Sequence, residues 1–107
     1  DDLMFDEAIK AYNVNKYDND AVYNLTRILI KRKRYTEAYE ILNNDVFICS
    51  SDLGILKNLL FSSIKVREFK MAESIAKYLI ELDSDNSLAI DFLGQWQSDD
   101  GTMIDKK

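Results

Sequence analysis

Apolar residues recur along this chain at intervals of three and four, in blocks parted by short polar breaks. That spacing places each block on one face of an α-helix. The first block runs from about Leu3 to Asn15 and carries Leu3, Met4, Ala8, Ile9, Ala11 and Tyr12. Asn13, Asn15, Asp18, Asn19 and Asp20 then interrupt it, as turn and cap residues do. A second helix is expected from about Asp20 to Lys31, with Ala21, Val22, Leu25, Ile28, Leu29 and Ile30 apolar. A third spans Tyr35 to about Val46, followed by Phe47-Ile48-Cys49 and a turn with N-cap at Ser50-Ser51-Asp52. A long helix follows from about Leu53 to Val66, then a short Arg67-Glu68 connection and a helix from Phe69 to Leu82. Asp83-Ser84-Asp85-Asn86 reads as the next turn, and a last helix covers about Ser87 to Gln97. The tail from Ser98 to Lys107 is polar apart from Met103 and Ile104 and is expected to be loose. The pattern thus predicts an all-α fold of about six helices, whose short connections make sequence neighbours pack antiparallel.

The blocks are self-similar. Tyr35-Thr36-Glu37-Ala38 returns 34 residues later as Phe69-Lys70-Met71-Ala72, and stands 30 residues after Phe5-Asp6-Glu7-Ala8. A period of this size signals stacked supersecondary units. The alanine lets two helices approach closely, since a larger side chain would overpack their crossing. Val22, Leu25 and Leu29, then Tyr35 and Ala38, fall on one set of slots; Leu56, Leu59, Phe69 and Ala72 fall on the same set one period later. Leu93-Gly94 opens a third.

On these residues the chain resembles the tetratricopeptide repeat, a 34-residue helix–turn–helix unit. The resemblance implies antiparallel helix pairs, A and B, stacked as a right-handed superhelix. It divides the repeat domain, residues 1–97, into a lone helix B at 3–15, repeats at 19–52 and 53–86, and a final helix A at 87–97, with 98–107 as a tail. The chain departs from the family at the small-residue slot of helix A, which holds Thr26 and Leu60, with only Gly94 small. Ser50 and Ser84 stand where the family has proline, and the 30-residue first interval is about one helical turn short.

Composition narrows the function. The 107 residues are 47% hydrophobic and 31% charged, which is globular rather than disordered. A formal net charge of −5 argues against general affinity for nucleic acid, where neutralised phosphates supply most of the binding. The run Lys31-Arg32-Lys33-Arg34 reads as the charged end of a helix, complementing its macrodipole. There is no histidine, which removes the commonest general base and the histidine-based triads and zinc sites. With no Gly-rich phosphate loop either, no catalytic residue, metal or cofactor is expected. Cys49 is the single cysteine and fits a reducing, cytoplasmic setting. No apolar run approaches the roughly 18 residues of a membrane span. The opening Asp1-Asp2 and the repeat pattern suggest an excised fragment.

The resemblance places binding on the concave face, lined by helix A residues that avoid helix B. On the first unit these are Asp20, Tyr23, Asn24, Arg27, Ile30 and Lys31. On the second they are Gly54, Lys57, Asn58, Phe61, Ile64 and Lys65, and on the third Leu88, Asp91, Phe92 and Gln95. Asn24 and Asn58 repeat at the 34-residue interval, and an amide donates and accepts at once, as a peptide group requires. Arg27, Lys31, Lys57 and Lys65 make the face basic, and Tyr23 and Phe61 offer apolar contact. The expected ligand is an extended, acidic peptide. A clamp for a C-terminal carboxylate is disfavoured, because Tyr23, Arg27, Leu88 and Phe92 occupy its slots. Two other readings remain: a piece of a larger scaffold that assembles or self-associates through its unpaired terminal helices, and RNA binding of the pentatricopeptide kind, against which the charge argues.

Overall fold

The computed structural model describes residues 2–97 and Thr102–Met103. It is all-helical apart from one short strand pair. Among the described residues seven helices follow in order: α1 (Asp2–Val14), α2 (Asn19–Lys31), α3 (Tyr35–Leu42), α4 (Asp45–Ile48), α5 (Leu53–Lys65), α6 (Phe69–Leu82) and α7 (Ser87–Gln95). Each long helix packs on its sequence neighbour, and α2, α5 and α7 also touch in turn, α2 on α5 and α5 on α7.

The 34-residue interval recurs in the backbone itself. Asp18, Asp52 and Asn86 are the N-caps of α2, α5 and α7, each accepting a backbone N–H of the first turn. The short Asx side chain satisfies one of the donors that a helix start leaves unpaired. The ends of α2 and α5 are equally alike. Lys33 and Arg67 both adopt the left-handed conformation, at φ 62° and 66°. Around them Lys33 N donates to Ile30 O and Arg34 N to Leu29 O, matched by Arg67 N to Ile64 O and Glu68 N to Ser63 O. These paired bonds form the Schellman closure, which turns the chain sharply into α3 and α6.

Burial follows the same interval. Val22, Leu25 and Thr26 of α2 and Leu56, Leu59 and Leu60 of α5 are all buried, as are Ala38 and Ala72. The main core gathers Val22, Leu42, Phe47, Ile55, Leu56, Leu59, Leu60, Ile75, Leu79 and Phe92 among others. A smaller cluster of Ala8, Leu25, Ile28, Leu29 and Ala38 joins α1 to α2 and α3.

The structure corrects three expectations. The helix expected from Tyr35 to Val46 stops at Leu42 and restarts as α4. Asn44 is extended, at φ −148° and ψ 140°, and its side chain accepts from Val46 N at 2.9 Å. Asparagine competes with the helix for its own backbone, which makes this a natural place to break. The break is functional for packing: Phe47 is 1% exposed, whereas its counterpart in the unbroken α6 is the exposed Glu81. A continuous helix would carry Phe47 on an outward position.

The second correction concerns Phe92, expected on an open face. It is buried and clusters with Phe69 and Trp96, whose ring centroids are 6.3 and 5.8 Å from its own and 5.2 Å from each other. The third concerns the end of α7, which stops at Gln95. Trp96–Gln97 instead pair antiparallel with Thr102–Met103, in the register Trp96 to Met103 and Gln97 to Thr102. This returns part of the tail to the helix end; Ser98 to Gly101 and Ile104 to Lys107 lie outside the described residues.

Candidate functional site

The eight residues singled out from sequence lie on two helices that pack directly on each other. Tyr23, Asn24, Arg27 and Lys31 belong to α2, and Lys57, Asn58, Phe61 and Lys65 to α5. Helical spacing of three and four keeps each set on one stripe. Tyr23, Asn24, Lys31, Lys57 and Lys65 are exposed; Arg27, Asn58 and Phe61 are half-buried.

The stripes are not uniform, and tertiary contacts sort them into three groups. Tyr23 reaches across to α5 and lies against Gly54. A β-carbon added at Gly54 would stand 2.8 Å from Tyr23 Cε1 and 2.9 Å from Cδ1. Gly54 is therefore the seat of the Tyr23 ring rather than a separate contact point.

The two asparagines differ in state. Asn58 Nδ2 donates to Thr26 Oγ1 at 3.0 Å, and Thr26 Oγ1 in turn donates to Val22 O at 2.7 Å. Thr26 is fully buried, so this bond ties α5 to α2 and consumes one Asn58 donor. Asn24 has no such partner among the described residues. It lines a cavity of about 260 Å³ between α1 and α2, together with Arg27 and Ala21 and with Glu7, Ala8 and Ala11 of α1. The ladder expected of two equivalent amides becomes one free amide and one that retains its carbonyl oxygen for a ligand.

Phe61 and Lys65 form the third group with Tyr35. The Phe61 and Tyr35 rings meet edge to face at 5.9 Å, and Lys65 Nζ sits 5.4 Å from the Phe61 centroid and 5.6 Å from that of Tyr35. The ammonium lies over ring faces whose quadrupole attracts it. Tyr35 thus joins the site from the start of α3.

Three cations elsewhere are held in ion pairs. Arg32 pairs with Asp2 at 3.0 Å, Arg34 with Glu37 at 2.6 Å, and Lys77 with Glu73 at 3.3 Å. The Arg34–Glu37 hydrogen bond holds the Glu37 carboxyl below its ordinary range and raises the guanidinium. Arg27, Lys31, Lys57 and Lys65 form no ion pair within the described residues. Glu7 shares the α1–α2 cavity with Arg27 without pairing to it.

Sequence reasoning missed the α1 wall of that cavity: Ala8 and Ala11 are small, but only the packing of α1 on α2 sets them against empty space. It also missed a second cleft of about 350 Å³, lined by Ile48, Cys49, Ser74, Ile75 and Tyr78. Ile48 and Cys49 at the end of α4 form one side of this cleft and α6 the other, and Cys49 is an exposed free thiol. No helix of the described residues is long and apolar enough to cross a membrane. Comparison with family models, with curated proteins and with solved structures returned no match.

Proposed function

We propose that this chain is a protein-interaction scaffold of the tetratricopeptide-repeat kind, binding an extended acidic peptide along α2 and α5. The observation that carries the reading is the set of cations on those two helices, Arg27, Lys31, Lys57 and Lys65, that have no carboxylate partner among the described residues. Support for stacked A–B units comes from the N-caps and Schellman turns recurring at the same interval as the sequence motif. An extended segment would meet the Tyr23 ring, the free amide of Asn24, the Asn58 carbonyl oxygen and the exposed edge of Phe61.

Exposed ion pairs contribute only about 0.2–1 kcal/mol each, so charge selects the partner while backbone bonding and ring contact hold it. A binding free energy of about −8 kcal/mol, micromolar affinity, suits such a site. The role is binding rather than catalysis. A reducing, cytoplasmic setting suits the exposed thiol of Cys49.

The test is fluorescence anisotropy with a labelled glutamate-rich peptide. The native chain binds it, salt weakens the complex, and Arg27→Glu with Lys57→Glu abolishes it. Equal affinity for native and reversed chains overturns the reading.

A further inference from the structure

The two ends of the helix row are complementary. Among the described residues the α7 face is open at positions that are closed in both preceding counterparts. Ile90 is 46% exposed, while Val22 and Leu56, at 34-residue intervals before it, are each 0% exposed. Leu93 is half-buried and Gly94 exposed, against buried Leu25 and Leu59, Thr26 and Leu60. A β-carbon at Gly94 meets nothing within 4 Å. α2 packs on α3 and α5, and α5 on α6, whereas no helix follows α7 among the described residues.

At the other end, α1 and α2 present the surface that such a helix occupies elsewhere in the molecule. α2 lies against both α3 and α5, with Thr26 bonded to Asn58. Stepping back one unit replaces α3 by α1 and α5 by α2. Ala38 and Ile41 become Ala8 and Ala11, and Ile55 and Asn58 become Ala21 and Asn24. Ala8, Ala11, Ala21 and Asn24 are among the residues that line the cavity of about 260 Å³, with Met4, Glu7, Arg27 and Ile28 beside them. The groove has the form of the internal interface, deepened by smaller side chains.

We propose that a second copy of this chain fills it, the α7 of one molecule docking across α1 and α2 of the next. The composite pair α7–α1 then has the form of α2–α3 and α5–α6, and the internal α2–α5 interface continues from copy to copy. Gly94 replaces the side chain that Thr26 interposes, so the docking helix approaches the alanine-lined wall closely. The contact is heterologous, so it does not stop at a dimer. It rests on the stacked-unit reading, and its groove shares Asn24 and Arg27 with the peptide site. One feature opposes it. The counterpart of the Tyr23–Gly54 contact would set Asp91 of one copy against Asp20 of the next, so association is weak at low ionic strength and tightens as salt screens the carboxylates.

Sedimentation velocity of the full chain from micromolar to millimolar concentration tests this. The native chain grows beyond a dimer, and Asp91→Asn tightens association by about threefold, the scale of one exposed charge contact. Ile90→Lys spoils the α7 face and Ala11→Glu the groove, at positions exposed enough to leave the fold intact, as a thermal melt by circular dichroism checks. Ile90→Ser replaces the lysine variant if that melt is lost. Each variant alone is monomeric, and an equimolar mixture gives a 1:1 complex that grows no further. Lys57→Glu, which strikes the peptide site, leaves association unchanged. A native chain monomeric throughout, a variant that assembles like it, or a mixture without the 1:1 complex overturns the proposal.

Discussion

Replacing Lys33 by glycine should make this protein more stable, although Lys33 is a charged surface residue in a turn. Its φ of 62° is in the left-handed region. There an L-residue with a β-carbon is strained by roughly 1–2 kcal/mol. Glycine removes that strain and loses about 0.5–1 kcal/mol through the greater freedom of its unfolded chain. The net gain is about 0.5–1 kcal/mol. The side chain of Lys33 has no ion pair to lose, and it sits beside Lys31, Arg32 and Arg34, whose like charges repel it. Arg67 supplies the internal control, with φ 66° at the equivalent turn. Its guanidinium lies over the Phe69 ring at 5.0 Å, a contact of about 0.5–1 kcal/mol at an exposed site. Arg67→Gly should therefore come out near neutral. Urea unfolding followed by circular dichroism reads both: with a slope of about 1–3 kcal/mol per molar, Lys33→Gly raises the midpoint by a few tenths of a molar. A lowered midpoint for Lys33→Gly would refute the reasoning, since it would show that the lysine side chain contributes more than its backbone strain removes.

Other consequences follow from the same contacts. Thr26→Val keeps shape but leaves Asn58 Nδ2 without its acceptor, so chemical unfolding should report a loss of about 1–2 kcal/mol; an unchanged midpoint would show that the α2–α5 bond is not a tie. Gly54→Ala places a methyl where Tyr23 now lies, so acidic-peptide affinity falls several-fold while stability changes little, because the exposed ring swings away. Burial, aided by the Glu68 charge, raises the Tyr39 phenol above its ordinary value. The folded chain thus keeps this proton where the unfolded chain has lost it. Stability should fall as pH rises through about 10, the unfolded value, and Tyr39→Phe should flatten that slope in a pH series of urea midpoints.

Much of the architecture was legible from local chemistry. Asx residues before apolar blocks marked the starts of α2, α5 and α7, since a cap acts within one helical turn. The interval between Ala38 and Ala72 announced repeated helix crossings, because close approach demands a small residue wherever it recurs. The all-helical class came from periodicity, and the placing of the candidate site on two helices came from the resemblance to the tetratricopeptide repeat. The break at Asn43-Asn44 was harder to read. Asparagine only weakens a helix, and the decision came from Phe47, which gains burial in the core only if the helix restarts.

The site shows the same division. Sequence by itself determined which residue types stand at 34-residue intervals: Asn24 and Asn58, Lys31 and Lys65, Tyr35 and Phe69. It could not say that Asn58 is engaged by Thr26 while Asn24 is free, because that depends on whether another helix lies alongside. Nor could it say that Tyr23 rests on Gly54, that Phe92 turns inward onto Phe69 and Trp96, or that Ala8 and Ala11 wall a cavity with Ala21. Period and caps are properties of neighbours along the chain. Pairing, burial and empty space arise between helices, and only the packed structure decides them.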